Sequence, residues 1–220
     1  DALAFAAAGF EVTAVERDIE TAAIASFNLA VFENAKVLAE DASQVELTSQ
    51  ALWFDPARRD LEHQGEKHKV VGPEDFSPSL NWVFQTARTR ISGVKLGPAF
   101  PKELIPDDAK AIWVTHNRDL VELTLWFGFD QLAKFNVLQI AEESHTFSAD
   151  EILNAEVGEL RAYLYEPDAG LIRSGLIGNL YGRQNPYSVF FKSSKTGLRA
   201  YELSVFASPF VSLTYNFKFL

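Results

Sequence analysis

Gly9-Phe10-Glu11-Val12-Thr13-Ala14-Val15-Glu16-Arg17-Asp18 joins the end of one predicted helix to the start of another through a short strand. Gly9 follows the Ala-rich run Ala2–Ala8 as a glycine follows the last turn of a helix. Glu11–Val15 then alternates and is β-branched, which predicts a buried strand. Asp18 is a good N-cap for a helix reaching about Phe32, with Ile19, Ala22, Ala23, Phe27 and Ala30 expected on its buried face. Helix, strand and helix in this order are one repeat of an α/β fold.

The same alternation continues outward. Ala35–Ala39 and Ala51–Phe54 read as short strands, the second halted by Asp55-Pro56. Residues 60–78 are polar and carry Gly65, Gly72, Pro73 and Pro78, which predicts a long loop. Ser79 caps a predicted helix to about Thr89, and strand character resumes over Gly93–Leu96. Ala111–Val114 and Leu120–Phe127 flank His116-Asn117-Arg118-Asp119 as an antiparallel hairpin. Together these predict a mostly parallel sheet with crossover helices over residues 1–130. A second, smaller α+β domain is expected over 131–220. It has a strand at Phe135–Ala141, a polar segment through Gly158 and a helix from about Pro167 to Tyr181, with Pro167 near its first position. Strands at Ser188–Lys192, Ala200–Phe206 and Val211–Phe219 complete it.

Composition narrows the functional classes. The chain has 220 residues, 47% of them hydrophobic, with 18 Phe and 4 Trp, too many for a solvated disordered chain. No apolar run approaches the roughly 18 residues of a membrane span, so no membrane association is expected. With no Cys, thiolate metal sites, disulfides and a cysteine nucleophile are excluded. The four His are scattered without a ligand spacing, and no metal is expected. The lack of a basic then apolar leader points to the cytoplasm. No Met occurs, and Asp1 falls inside a predicted helix, so the chain is expected to be part of a longer protein. Residues 1–149 carry 23 acids and 13 bases, whereas residues 150–220 carry seven of each, so the net charge of −10 belongs to the first part. An acidic body with a basic end, where Arg173, Arg183, Lys192, Lys195, Arg199 and Lys218 face only Glu202, is one way to bring a polyanion to a site.

Three acids stand just beyond three successive strands: Glu16, Asp41 and Asp55. In an open parallel sheet, ligands bind at the carboxyl ends of the strands. A carboxylate at such a place accepts hydrogen bonds from ribose hydroxyls, the role expected of Glu16. Asp41, one strand over, is placed for an adenine amino group. Pro56 fixes the backbone after Asp55, holding that carboxylate toward the crevice, where it accepts a bond from a substrate amine. Arg58 and Arg59 are candidates for pairing with a phosphate or carboxylate of the substrate.

Gly9–Asp18, Asn34–Asp41 and Leu52–Arg59 together resemble the second to fourth motifs of class I S-adenosylmethionine-dependent methyltransferases. More narrowly, several motifs resemble a bacterial group with a C-terminal THUMP-like domain. They are Asp55-Pro-Ala-Arg-Arg59, Gly72–Pro78, Glu103–Pro106, Leu125–Gly128 and Tyr163–Asp168. The resemblance implies a Rossmann-like sheet and S-adenosylmethionine as cofactor, with RNA as the expected substrate and partner. It implies Asp1, Glu16 and Asp41 at the cofactor and Asp55-Pro56 as the catalytic motif. The family's Gly-rich first motif and first strand would precede Asp1, since no G-x-G occurs in the chain. Ala57 and Arg58 stand where amino-methylating relatives carry a Pro and an aromatic residue, so this motif supplies no stacking on a target base.

Two other classes compete. One is a non-catalytic module of the same fold that holds a nucleoside or RNA. The other is a nicotinamide dehydrogenase, since Glu16 suits either ribose. That enzyme class predicts parallel final strands, whereas the hairpin at Asn117 predicts an antiparallel one.

Overall fold

A computed structural model describes residues 1–58, 72–154, 164–180, 186–194, 197–204 and 211–215. The chain divides into two compact units, Asp1–Ser49 and Gln50–Leu220.

In the first unit, α1 (Ala2–Ala7) ends at Gly9, whose φ of +88° few other residues tolerate. Strand β1 (Val12–Val15), helix α2 (Ile19–Leu29) and strand β2 (Ala35–Leu38) follow. The two strands pair in parallel, Val12 opposite Ala35 and Val15 opposite Leu38. Asn34 ties the turn before β2 to the end of α1, donating to the carbonyls of Ala6 at 3.0 Å and Phe10 at 2.7 Å. Asp18 caps α2, accepting the Thr21 N–H at 2.8 Å. Of the expected buried face of α2, Ala22 alone is buried. Ala22 and Leu29, two turns apart, are buried, while Phe27 is 82% and Ile19 76% exposed, and Ala23 and Ala30 are exposed too. The helix is apolar on nearly every side, so periodicity could not choose the face.

The second unit is built on a six-stranded sheet of strands β3 (Ala51–Phe54), β6 (Ile91–Leu96), β7 (Lys110–His116), β8 (Asp119–Phe127), β9 (Phe135–Ile140) and β10 (His145–Ala149). Their order is β10-β9-β7-β8-β6-β3. Strands β3 and β6 are parallel, as are β7 and β9. Strand β8 is antiparallel to both neighbours, β6 and β7. The hairpin turn places Asn117 and Arg118 at φ of +48° and +74°, the two-residue geometry that matches strand twist. A short ribbon joins β4 (Ala57–Arg58) to β5 (Phe76–Ser77), antiparallel, followed by the cis peptide Ser77-Pro78. Within the expected loop at 60–78, residues 72–78 therefore have structure: a 3-10 turn at Pro73–Asp75 and then β5.

One face of the sheet carries the core. Helix α3 (Leu80–Ala87), capped by Ser79, buries Leu80, Val83 and Ala87 completely against Val94, Leu123, Leu125 and Trp113. On the opposite face, Gly93 stands between Trp53 and Trp126, whose ring centroids are 5.6 Å apart. A Cβ at residue 93 would lie 2.5 Å from the Trp53 ring.

The sheet runs on past residue 130, the expected domain boundary, because β9 and β10 extend it. Strand β10 lies in the segment read as polar; of its five residues only Phe147 is buried, so it alternates too weakly to be recognised. Further along come β11 (Leu164–Pro167), α4 (Ala169–Ser174) and α5 (Ile177–Leu180). Strands β12 (Pro186–Ser194), β13 (Gly197–Ser204) and β14 (Val211–Tyr215) join β11 in a sheet of order β13-β12-β11-β14. The expected single helix from Pro167 is two short ones. Pro167 closes β11, Asp168 is the N-cap of α4, and Gly175 at φ +84° ends it. Leu171, Leu176 and Leu180 join the core beneath the six-stranded sheet. No helix among the described residues is long and apolar enough to cross a membrane.

Candidate functional site

The carboxyl ends of two strand pairs hold the candidate residues. At the end of β1–β2, the Glu16 N–H donates to the Leu38 carbonyl at 3.0 Å, which carries the parallel pairing one residue beyond the strands. Glu16 thus leaves the same end of the pair as the Glu40-Asp41 turn. One Glu16 oxygen, Oε1, accepts the Asp18 N–H at 2.8 Å. Asp41 Oδ1 accepts both the N–H and the hydroxyl of Ser43, at 2.8 and 2.6 Å. The two Ser43 bonds hold the Asp41 carboxyl below its ordinary value. Each acid is therefore oriented by a partner two residues away, and each is a carboxylate with a second oxygen. Two such groups beside adjacent parallel strands suit hydroxyl and amino donors. Asp1 is exposed at the start of α1 and makes no side-chain cap.

The end of β3 carries Asp55 and Pro56. Pro56 is buried and Asp55 exposed, so the proline is packed down while the carboxylate faces out. Phe54, just before them, meets Trp82 of α3 edge-on at 6.0 Å, which fixes the strand end against the helix. Phe54 is opposite Val94 in the parallel register, so the next pair along is Asp55 and Lys95. Lys95 Nζ lies 2.7 Å from Asp55 Oδ2. The motifs Asp55–Arg59 and Gly72–Pro78 meet here, since Ala57 is opposite Ser77 and Arg58 opposite Phe76. Phe76 anchors that ribbon in the core, 6.3 Å from Phe100. Arg58 is exposed; Arg59 lies outside the described residues.

Lys95 belongs to no recognised motif. One signal was available: a lysine inside the otherwise uncharged strand Ile91–Leu96, which lies between two other strands. Asp168 is a second charged residue in an unusual place. It is 3% exposed and accepts bonds from the Gly170 N–H at 2.8 Å, the Thr115 hydroxyl at 3.1 Å and Gln139 Nε2 at 3.5 Å. Burial pushes its carboxyl up, partly opposed by the Gly170 and Thr115 bonds and by Arg118. Its position as the cap of α4 accounts for it structurally. Among the described residues, no three or more His, Asp or Glu side chains gather as they would around a metal ion.

No family model matches the sequence. No curated protein matches it either. The fold is similar to a crystal structure of a "putative methyltransferase from Porphyromonas gingivalis W83", with a TM-score of 0.58 at 12% identity, over 89% of this chain and 71% of that one. The chain thus has a methyltransferase-like α/β fold with a multi-strand central sheet.

Proposed function

We propose that this chain is an S-adenosylmethionine-dependent methyltransferase acting on RNA. The observation that carries the reading is β8, antiparallel between β6 and β7, which a nicotinamide dehydrogenase of parallel final strands would not have. Asp55-Pro56 at the end of β3 supports it, because an acceptor amine needs a fixed hydrogen-bond acceptor where a crevice forms. When bound, the cofactor supplies an electrophilic methyl group on sulfur. Each residue has its own part: Glu16 holds ribose hydroxyls, Asp41 bounds the adenine, and Asp55 orients the acceptor nitrogen. Arg58 and Arg59 pair with a backbone phosphate. The basic residues from Lys192 to Lys218 favour RNA, and the sheet β13-β12-β11-β14 is the part we assign to the THUMP-like domain. Calorimetry tests the cofactor half. S-adenosylmethionine is expected to bind the whole protein, and Glu16→Ala to weaken binding about tenfold, the loss of bonds from a charged acceptor. Unchanged affinity in Glu16→Ala would remove the ribose assignment, and tight cofactor binding without methyl incorporation would favour a module without catalysis.

A further inference from the structure

We propose that Lys95 is a positioning residue for Asp55, and that the two act as one preorganised unit; this rests on the reading of Asp55 as the group that meets the acceptor. The parallel register of β3 and β6 makes them neighbours, and Lys95 Nζ stands 2.7 Å from Asp55 Oδ2. The lysine side chain is 26% exposed and the aspartate 54%, so the pair lies at the rim with the cation on the inner side. A lysine on a strand flanked on both sides is rarely kept without a partner for its charge.

The surroundings hold both partners still. Buried Pro56 fixes the backbone on one side of Asp55, and the edge contact of Phe54 with Trp82 fixes the other. One pair back in the ladder, Trp53 closes over Gly93, which pins the register of the two strands. A carboxylate engaged through Oδ2 in this frame keeps one orientation, and Oδ1 becomes the acceptor offered to a substrate N–H. Lys95 touches neither substrate nor cofactor in this account; it acts through Asp55.

A double-mutant cycle in the whole protein tests this, with Lys95→Met, Lys95→Arg, Asp55→Ala and the double variant Lys95→Met/Asp55→Ala. Methyl transfer from S-adenosylmethionine to total RNA is the activity measured. Lys95→Met is expected to lower kcat about tenfold with cofactor affinity unchanged, and Lys95→Arg to stay within about threefold of the parent. In the Asp55→Ala background, Lys95→Met is expected to cost less than about twofold. Additive losses, or failure of Lys95→Arg to rescue, would overturn the positioning role. A second arm needs no activity: acylation of Lys95 by an amine-reactive ester, mapped by peptide mass spectrometry. Lys95 is expected to react several times faster in Asp55→Ala than in the parent, because the carboxylate standing 2.7 Å from Nζ no longer covers it; equal rates would show that Asp55 does not engage Lys95 in solution. A parent that transfers no methyl group overturns the functional reading and the positioning role together, whereas the acylation rates report on the pair alone.

Discussion

The two strand ends that carry the candidate acids are organised differently. At β1–β2, Glu16 and Asp41 are each held by a partner two residues along the chain, Asp18 and Ser43. At β3–β6, Asp55 is held by Lys95, 40 positions away in sequence and brought in by strand register. The packing follows the same division. The first unit buries only Ala6, Ala22 and Leu29 among its hydrophobic residues, whereas the second has a continuous core from Phe76 to Leu180. Local turns can hold a side chain over a thin core; an acid positioned across strands needs a sheet that cannot slide.

The largest effect should come from the cores themselves. Leu125→Ala, at a fully buried position beneath the sheet, is expected to cost about 2–5 kcal/mol in chemical denaturation. Leu29→Ala should fall at or below the low end of that range, and a larger loss there would break the contrast. Next comes Gly93→Val, whose Cβ would enter the Trp53 ring. It should destabilise by about 1–3 kcal/mol, while Gly97→Ala, with nothing within 4 Å, should stay within about 0.5 kcal/mol. Tolerance of valine at 93 would mean that the ladder under Asp55 is loose.

Asp168 sharpens the contrast through pH. Its folded-state carboxyl is pushed above the ordinary 3.8 by burial, so the native state holds the proton more tightly than the unfolded chain. Its contribution is fully present below 3.8 and is lost as pH rises through the raised value. Asp168→Asn keeps an N-cap side chain for α4 and removes the titration, so the stability difference between parent and variant should shift against the parent as pH rises from 3.8. A flat difference would contradict this. The smallest effect belongs to Arg88 and Asp108, a two-bond pair at 2.7 and 2.8 Å that is 44% and 52% exposed. Arg88 holds the Asp108 carboxyl below 3.8, so this contribution is present above 3.8 and lost as pH falls through the lowered value. Arg88→Met should cost at most about 1 kcal/mol, measured by thermal unfolding near neutral pH, and less at high salt.

How far the sequence could be read follows the same line. Gly9, Asp18 and Ser79 announce their helix ends through chemistry contained in a few residues, and α1, α2 and α3 begin or end there. Asp55-Pro56 likewise stops β3 where expected, and the turn at Asn117 makes the antiparallel hairpin. The errors arise where a choice depends on the rest of the fold. The two apolar faces of α2 are equivalent until a sheet lies under one of them. Gly175 looks permissible within a helix until its φ is seen to be positive. Strand β10 is recognisable only beside β9, and Lys95 only beside Asp55.

Label transfer decides whether Asp55 serves a methyltransferase. Radiolabelled S-adenosylmethionine and total RNA are incubated with the whole protein and with Asp55→Ala. The account predicts incorporation into RNA by the parent and a loss of about tenfold or more in Asp55→Ala. Cofactor binding without any incorporation, or equal incorporation by both proteins, would contradict it.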